Sequence, residues 1–247
     1  MELEHLSPSR IKTFYQCQLQ YHAKYDLKIE EPPPHPLTTM GLAVHQVFED
    51  GFNEITNGRD YDFVSNIGPI CNKLGVSLEN ALIAKTLVEN AIKWGYLRNI
   101  DRCIGVEVPF LEELPDGTKV KGLIDRLDYV PEIIDLKTQK REFDDVKSQW
   151  QSKIYNWALR KIRPEFSEDT VRMSYWVLRH RVQRCELTAS DANEAEGLLM
   201  SVADEIRSCD DPKAYPSALC QWCLYREKCP SANLSRRERF NKYKRKK

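Results

Sequence analysis

No stretch of the chain approaches the roughly 18 uninterrupted apolar residues of a membrane-spanning helix, so a helical membrane protein is excluded. The opening Met1-Glu2-Leu3-Glu4-His5-Leu6 has neither a basic start nor an apolar run. It predicts no signal peptide and a reducing, cytoplasmic setting, in which the eight cysteines are not expected to form disulfides. A Gly-x-x-x-x-Gly-Lys phosphate loop is also lacking, so any ATP-driven work on a substrate would fall to another protein. Internal repeats are missing, and biased composition is confined to a proline run at residues 32–36 and to the tail. Net charge is zero as well, but it conceals an asymmetry: residues 236–247 hold eight Lys or Arg against one Glu, leaving the rest of the chain at −7. Such a basic tail suits salt-sensitive phosphate contact, or is simply a solvated terminus.

The sequence does hold enough apolar residues, 41% against 30% charged, to build one main globular domain. Ser7-Pro8 opens a capped helix whose spacing continues through Ile11, Phe14 and Leu19, which puts Cys17 on that helix. After the prolines, Thr38 or Thr39 can cap a second helix carrying Val44, His45 and Phe48, and a third is predicted over residues 77–98. The pattern then changes. Residues 104–111, 119–129 and 132–138 read as strands, 144–161 as a helix, 171–187 as a β pair and 189–209 as a helix. The expected fold is α/β, a mixed central sheet flanked by helices. Its parts are a helical section at 1–100, a core at 101–209, a cysteine-rich section at 210–235 and the basic tail at 236–247.

Chemistry concentrates on two of these strands. In Glu132-Ile-Ile-Asp-Leu-Lys-Thr138, the period of two sets Ile133, Asp135 and Lys137 on one face. The preceding strand puts Leu123, Asp125 and Leu127 on a common face, and a turn centred on Val130 makes Asp125 and Asp135 cross-strand neighbours, their Cβ atoms ~5 Å apart. Like charges so opposed call for a cation, and carboxylate oxygens suit Mg²⁺ or Mn²⁺. Lys137 can then reach a metal-bound water or a phosphate, which outlines a hydrolytic site. The plainer alternative is a surface ion pair between Asp135 and Lys137. Glu107, on the first strand, is a further candidate at the metal or else a solvent-facing residue.

The order of motifs resembles the RecB-like branch of the PD-(D/E)XK nucleases, which includes the RecB and AddB repair nuclease domains and CRISPR-associated adaptation nucleases. Ser7-Pro-Ser-Arg-Ile through Tyr15-Gln-Cys17 is similar to the family's opening helix, and Gly41-Leu-Ala-Val-His45 to its Gly-x-x-x-His helix. Gly122-Leu-Ile-Asp125, Ile134-Asp-Leu-Lys137 and Gln151-Ser-Lys-Ile-Tyr155 follow in the family's order. One departure is Ile134 before Asp135, where the family name implies a proline further upstream.

The resemblance implies a restriction-endonuclease-like fold. It also implies a Mg²⁺- or Mn²⁺-dependent DNase in which His45, Asp125, Asp135 and the Leu136 carbonyl hold the metal. Asp125, Asp135, Lys137, Gln151 and Tyr155 would form the catalytic set. Single-stranded DNA or DNA ends would be the substrate, with a helicase or repair complex as partner. A second reading is a catalytically silent DNA-binding module with the same fold.

Cys220-Gln-Trp-Cys223 and Cys229 are close enough for three thiolates to converge, and a fourth ligand is then needed. Reduced thiols or a zinc site would account for them. The resemblance instead implies a 4Fe-4S cluster completed by Cys17, with Cys71, Cys103, Cys185 and Cys209 left as ordinary thiols.

Overall fold

The computed structural model describes residues 1–30, 33–98, 100–223 and 225–231; the basic tail lies outside them. Helix α1 (Pro8–Gln16) starts as expected, with Ser7 Oγ accepting from Arg10 N at 3.2 Å. It stops one residue before Cys17, whose backbone is extended, and α2 (Gln18–Tyr21) begins afresh. Cys17 therefore sits at a break between helices and not on one. Helix α3 (Pro36–Thr56) begins before Thr38 and Thr39: Pro36 occupies the first turn and His35 Nδ1 accepts from Leu37 N. Proline's fixed φ favours that position.

Helix α4 (Phe63–Lys73) has no counterpart in the sequence reading, because Gly68-Pro69 breaks its pattern. Asp62 nevertheless caps it, accepting from Val64 N and Ser65 N. Helix α5 (Leu78–Lys93) follows, capped by Ser77.

Strands β1 (Cys103–Glu113), β2 (Lys119–Asp128), β3 (Glu132–Lys137), β4 (Val171–Val177) and β5 (Arg181–Leu187) form one sheet in sequence order. Pairing is antiparallel for β2/β3 and β4/β5 but parallel for β3/β4. A parallel step needs a crossover, and α6 (Trp150–Ile162) supplies it, bringing its side chains back across β3. Helix α6 starts six residues later than the expected 144. Over that stretch side chains replace helical hydrogen bonds: Gln183 accepts from Phe143 N and donates to Phe143 O, and Ser152 Oγ donates to Val146 O. Helix α7 (Ala189–Arg207) completes the α/β arrangement of a five-stranded mixed sheet flanked by helices.

The chain divides into two compact units. One comprises Met1–Pro33, Leu111–Lys121 and the described residues from Glu196 onward; the other comprises Pro34–Phe110 and Gly122–Ala195. In the second unit, Val44, Phe48 and Phe52 of α3 join Ile67, Val88, Ile134, Leu136 and Trp176 in a buried core. Arg126 lies on the same sheet face as Ile134, its register partner, and is 1% exposed. Its guanidinium forks onto Asp128 (2.7 and 3.0 Å), donates to the Tyr96 carbonyl and lies over the Phe52 and Tyr96 rings.

Removing one partner of such a pair strands a buried charge. Asp128→Ala is expected to cost about 3–5 kcal/mol in urea unfolding. A loss under about 1 kcal/mol would mean that water or another acceptor takes over.

Candidate active site and cysteine pocket

The β2/β3 register runs Asp128↔Glu132, Leu127↔Ile133 and Arg126↔Ile134, and one further step along it would set Asp125 opposite Asp135. At that point a side chain replaces the ladder: Asp125 Oδ2 accepts from Leu136 N at 2.7 Å. The N–H and C=O of a strand residue point the same way, so the Leu136 carbonyl faces this side as well.

His45 on α3 approaches the same oxygen, with Nδ1 3.5 Å from Asp125 Oδ2 and 3.8 Å from Glu107 Oε1. Ligand atoms of His45, Glu107 and Asp125 all lie within 4.8 Å of one another. Glu107 reaches this point from β1 through a left-handed backbone, φ 46°, which is costly for a non-glycine residue and re-aims its side chain. Nothing in the alternation of β1 marks that residue. Its acidity alone made it a candidate.

Asp135 is fully buried. Oδ1 accepts from Gln151 Nε2 at 2.5 Å, while Oδ2 pairs with Lys137 Nζ at 2.5 Å. Gln151 is the hub of this part, because its Oε1 also accepts from Lys137 Nζ at 2.9 Å and its Nε2 donates to Tyr155 Oη. Tyr155 Oη in turn donates to the Leu123 carbonyl, and its ring meets Phe110 edge-on at 5.7 Å. Gly122 permits this packing, since a Cβ there would stand 2.2 Å from the Phe110 ring.

The second unit thus brings together His45, Asp125, Asp135, Leu136, Lys137, Gln151 and Tyr155, and adds Glu107. Asp135 differs from the metal-ligand expectation in one respect: its nearest partners are Lys137 and Gln151, and it stands outside the tight His45–Glu107–Asp125 group.

The electrostatics fit a divalent ion. Burial, and then the charge of Asp135, pushes the Asp125 carboxyl up to about 7. Burial would lower the His45 pKa, but Asp125, Glu107 and Asp135 outweigh it and hold the imidazole at about 9. A proton on His45 thereby takes the place a cation would have among the acids. Two carboxylates that converge with an imidazole, one of them an acid that resists ionising, are relieved by a positive ion, so these residues fit one.

An imidazole protonated below about pH 9 must lose its proton to become a ligand, so affinity for Mn²⁺ should rise with pH up to that value. Calorimetry at pH 7 in two buffers of different ionisation enthalpy should register release of between one and two protons per ion bound, one from His45 and part of one from Asp125. Equal heats in both buffers would contradict it.

In the first unit, Cys17, Cys220, Cys223 and Cys229 line a single pocket together with Tyr215, Pro216 and Ser217. All four are free thiols. Ser217 N donates to Cys220 Sγ at 3.2 Å, and Cys17 Sγ lies 3.9 Å from the Lys213 carbonyl. Burial raises the Cys223 thiol pKa, and negative charge on Cys17, Cys220 and Cys229 adds to it. Cys71 is buried in the core of the other unit.

No curated protein matches the chain. Among solved structures, a candidate exonuclease from Eubacterium rectale superposes with a TM-score of 0.58 at 15% identity, covering 89% of this chain and 88% of that one. At that identity the likeness concerns the fold. The structure of SSO0001 covers 95% of this chain and 90% of its own at 14% identity, with a TM-score of 0.47, too low to add to it. No helix among the described residues is long and apolar enough to cross a membrane. The profile of the PD-(D/E)XK nuclease superfamily matches residues 5–230, a span that takes in both acids, the lysine and all four pocket cysteines. The chain belongs to the PD-(D/E)XK nuclease superfamily.

Proposed function

We propose that this nuclease is a Mg²⁺- or Mn²⁺-dependent deoxyribonuclease acting on single-stranded DNA or DNA ends. One observation carries the reading: Lys137 is clamped between Asp135 and Gln151 beside the His45–Glu107–Asp125 group. His45, Glu107 and Asp125 would hold the ion, with Asp135 and the Leu136 carbonyl as the further ligands. When bound, such an ion supplies an activated water and neutralises charge developing on the phosphate.

The chain's own residues do the rest. Lys137 presents a fixed positive charge to the scissile phosphate or its attacking water, because Asp135 and Gln151 restrict its ammonium. Gln151 and Tyr155, one turn apart on α6, tie that ammonium to the Leu123 carbonyl on β2, so Lys137 and Asp125 keep a fixed relation. Activity on ends agrees with the name of the Eubacterium rectale neighbour. We assign any unwinding of duplex ends to a helicase or repair-complex partner.

We further propose that Cys17, Cys220, Cys223 and Cys229 hold a structural 4Fe-4S cluster. The four thiols line one pocket of the first unit, which supports a metal group shared among them. The amide donated to Cys220 Sγ is of the kind that stabilises cluster thiolates.

An end-labelled single strand incubated with Mn²⁺, with EDTA and with the Asp135→Ala variant tests the function. Cleavage by the unmodified protein in Mn²⁺ alone is expected. No cleavage would favour a silent binding module, and equal cleavage by the variant would point to a contaminant.

A further inference from the structure

Beside the proposed active site lies a cavity of about 360 Å³, within the usual range for a small-ligand site. His45, Leu136 and Lys137 form its wall toward the metal-binding group, and Thr138, Gln139, Lys140 and Arg179 lead away from it. Leu37, Thr38 and Met40 of α3 close the other side. Lys137, Lys140 and Arg179 line it beside His45, and none of its lining residues is acidic. In a chain whose first 235 residues together carry −7, that is a local reversal of sign.

Arg179 and Lys140 have no carboxylate partner among the described residues, whereas nearby Arg181 is paired with Glu142. Arg179 is also held in place. Its Nε donates to the Thr138 carbonyl at 3.0 Å, and the peptide before it is zipped to the end of β3 by Leu178 N donating to Lys137 O. His180 Nε2, 3.0 Å from the Lys140 carbonyl, fastens the far end of the same loop. These contacts use backbone carbonyls and only one guanidinium nitrogen, so the remaining donors of Arg179 are not committed to a side chain. Helix α3 approaches this loop closely at Gly41, where a Cβ would stand 3.1 Å from Thr138 Oγ1.

We infer that this cavity is a second phosphate subsite, in which Arg179 and Lys140 bind a nucleic-acid phosphate next to the one being cleaved. An arginine fixed through Nε presents its other nitrogens as a fork matched to phosphate oxygens, and Lys140 adds a mobile point charge. Thr38 and Thr138 contribute hydroxyls to the same wall. The subsite would set the register of the strand, so that Lys137 meets one phosphodiester and not its neighbour. Arg179 is therefore a positioning residue. The inference rests on the nuclease reading of the adjacent site, and the phosphate could be an internal diester or a strand's terminal monoester.

Arg179→Ala, Arg179→Lys and Lys140→Ala test it, with Lys85→Ala, an exposed cation on α5, as the control. Substrates are single-stranded oligonucleotides with phosphorylated or unphosphorylated ends. Cleavage is followed in Mn²⁺, and binding by fluorescence anisotropy in EDTA across a salt series. For Arg179→Ala, KM should rise about tenfold and by more than kcat falls. The slope of log affinity against log salt should shrink by about one.

Arg179→Lys should restore the slope but only part of the KM, and Mn²⁺ affinity should match the unmodified protein. If the preference between end types disappears in Arg179→Ala, the bound phosphate is terminal; if both end types weaken equally, it is internal. Either outcome supports the subsite. Unchanged KM and salt slope in Arg179→Ala and Lys140→Ala, or an equal effect from Lys85→Ala, would overturn it. Because the binding arm needs no hydrolysis, a protein that cuts nothing would sink the nuclease reading while still deciding the subsite.

Discussion

Asp125→Asn should lower kcat on a single strand in Mn²⁺ by on the order of 10³-fold and at the same time raise the melting temperature of the metal-free protein. Both effects come from the same charge. Asp125 is nearly buried, and burial together with Asp135 pushes its carboxyl up to about 7. Without an ion, Glu107, Asp125 and Asp135 face only two cations, His45 and Lys137. Asparagine keeps an oxygen to accept from Leu136 N and removes the surplus negative charge. A gain of about 1 kcal/mol corresponds to roughly 2–4 °C for a chain of this size.

The catalytic loss follows from that charge in its other role, since an amide cannot offer a charged ligand to a divalent ion. Tyr155→Phe is a useful contrast, removing only the hydroxyl between Gln151 and the Leu123 carbonyl, and its loss should be nearer tenfold. Differential scanning of the metal-free protein beside a Mn²⁺-dependent rate assay measures both quantities. An Asp125→Asn protein that is less stable and still active would show that these carboxylates are packed for structure alone.

The second large effect concerns the cysteine pocket. Protein purified without oxygen should be brown, and Cys17→Ser should lose the colour and the iron together. Cys17 and Cys220 are about 200 residues apart in sequence, so the cluster would close a long loop within one compact unit. Metal–thiolate sites contribute on the order of 10 kcal/mol to folding. If a third of that is realised here, the melting temperature of Cys17→Ser falls by about 10 °C.

Cys71→Ser is the control for loss of an ordinary buried thiol: it should leave the colour intact. Iron and sulfide analysis with the visible spectrum checks the assignment. A colourless preparation containing one zinc per chain would replace the cluster with a zinc site.

Several parts of this arrangement were open to view in the sequence because they depend on periodicity within one element. Alternation along β3 puts Asp135 and Lys137 on one face, and α-helical spacing puts Gln151 and Tyr155 one turn apart. The β2/β3 register follows from a short turn between two strands of clear pattern. Helix α4 escaped because Gly68-Pro69 reads as a turn, although Asp62 supplies a strong cap. The late start of α6 escaped because side chains of Gln183 and Ser152 satisfy the loop from a distance in sequence.

The covalent order of residues determined which faces the two acids, the lysine and the α6 pair occupy, and which cysteines are near one another at the chain's end. Only tertiary packing decided that Glu107 joins His45 and Asp125 through a backbone turned to positive φ, that Asp135 is held by Lys137 and Gln151, and that Cys17 reaches the C-terminal triplet. The physical reason is that side-chain direction within a helix or strand is a local property of its repeat. Which atoms meet between elements depends on crossings, bulges and broken helices, whose cost is met by burial elsewhere in the fold.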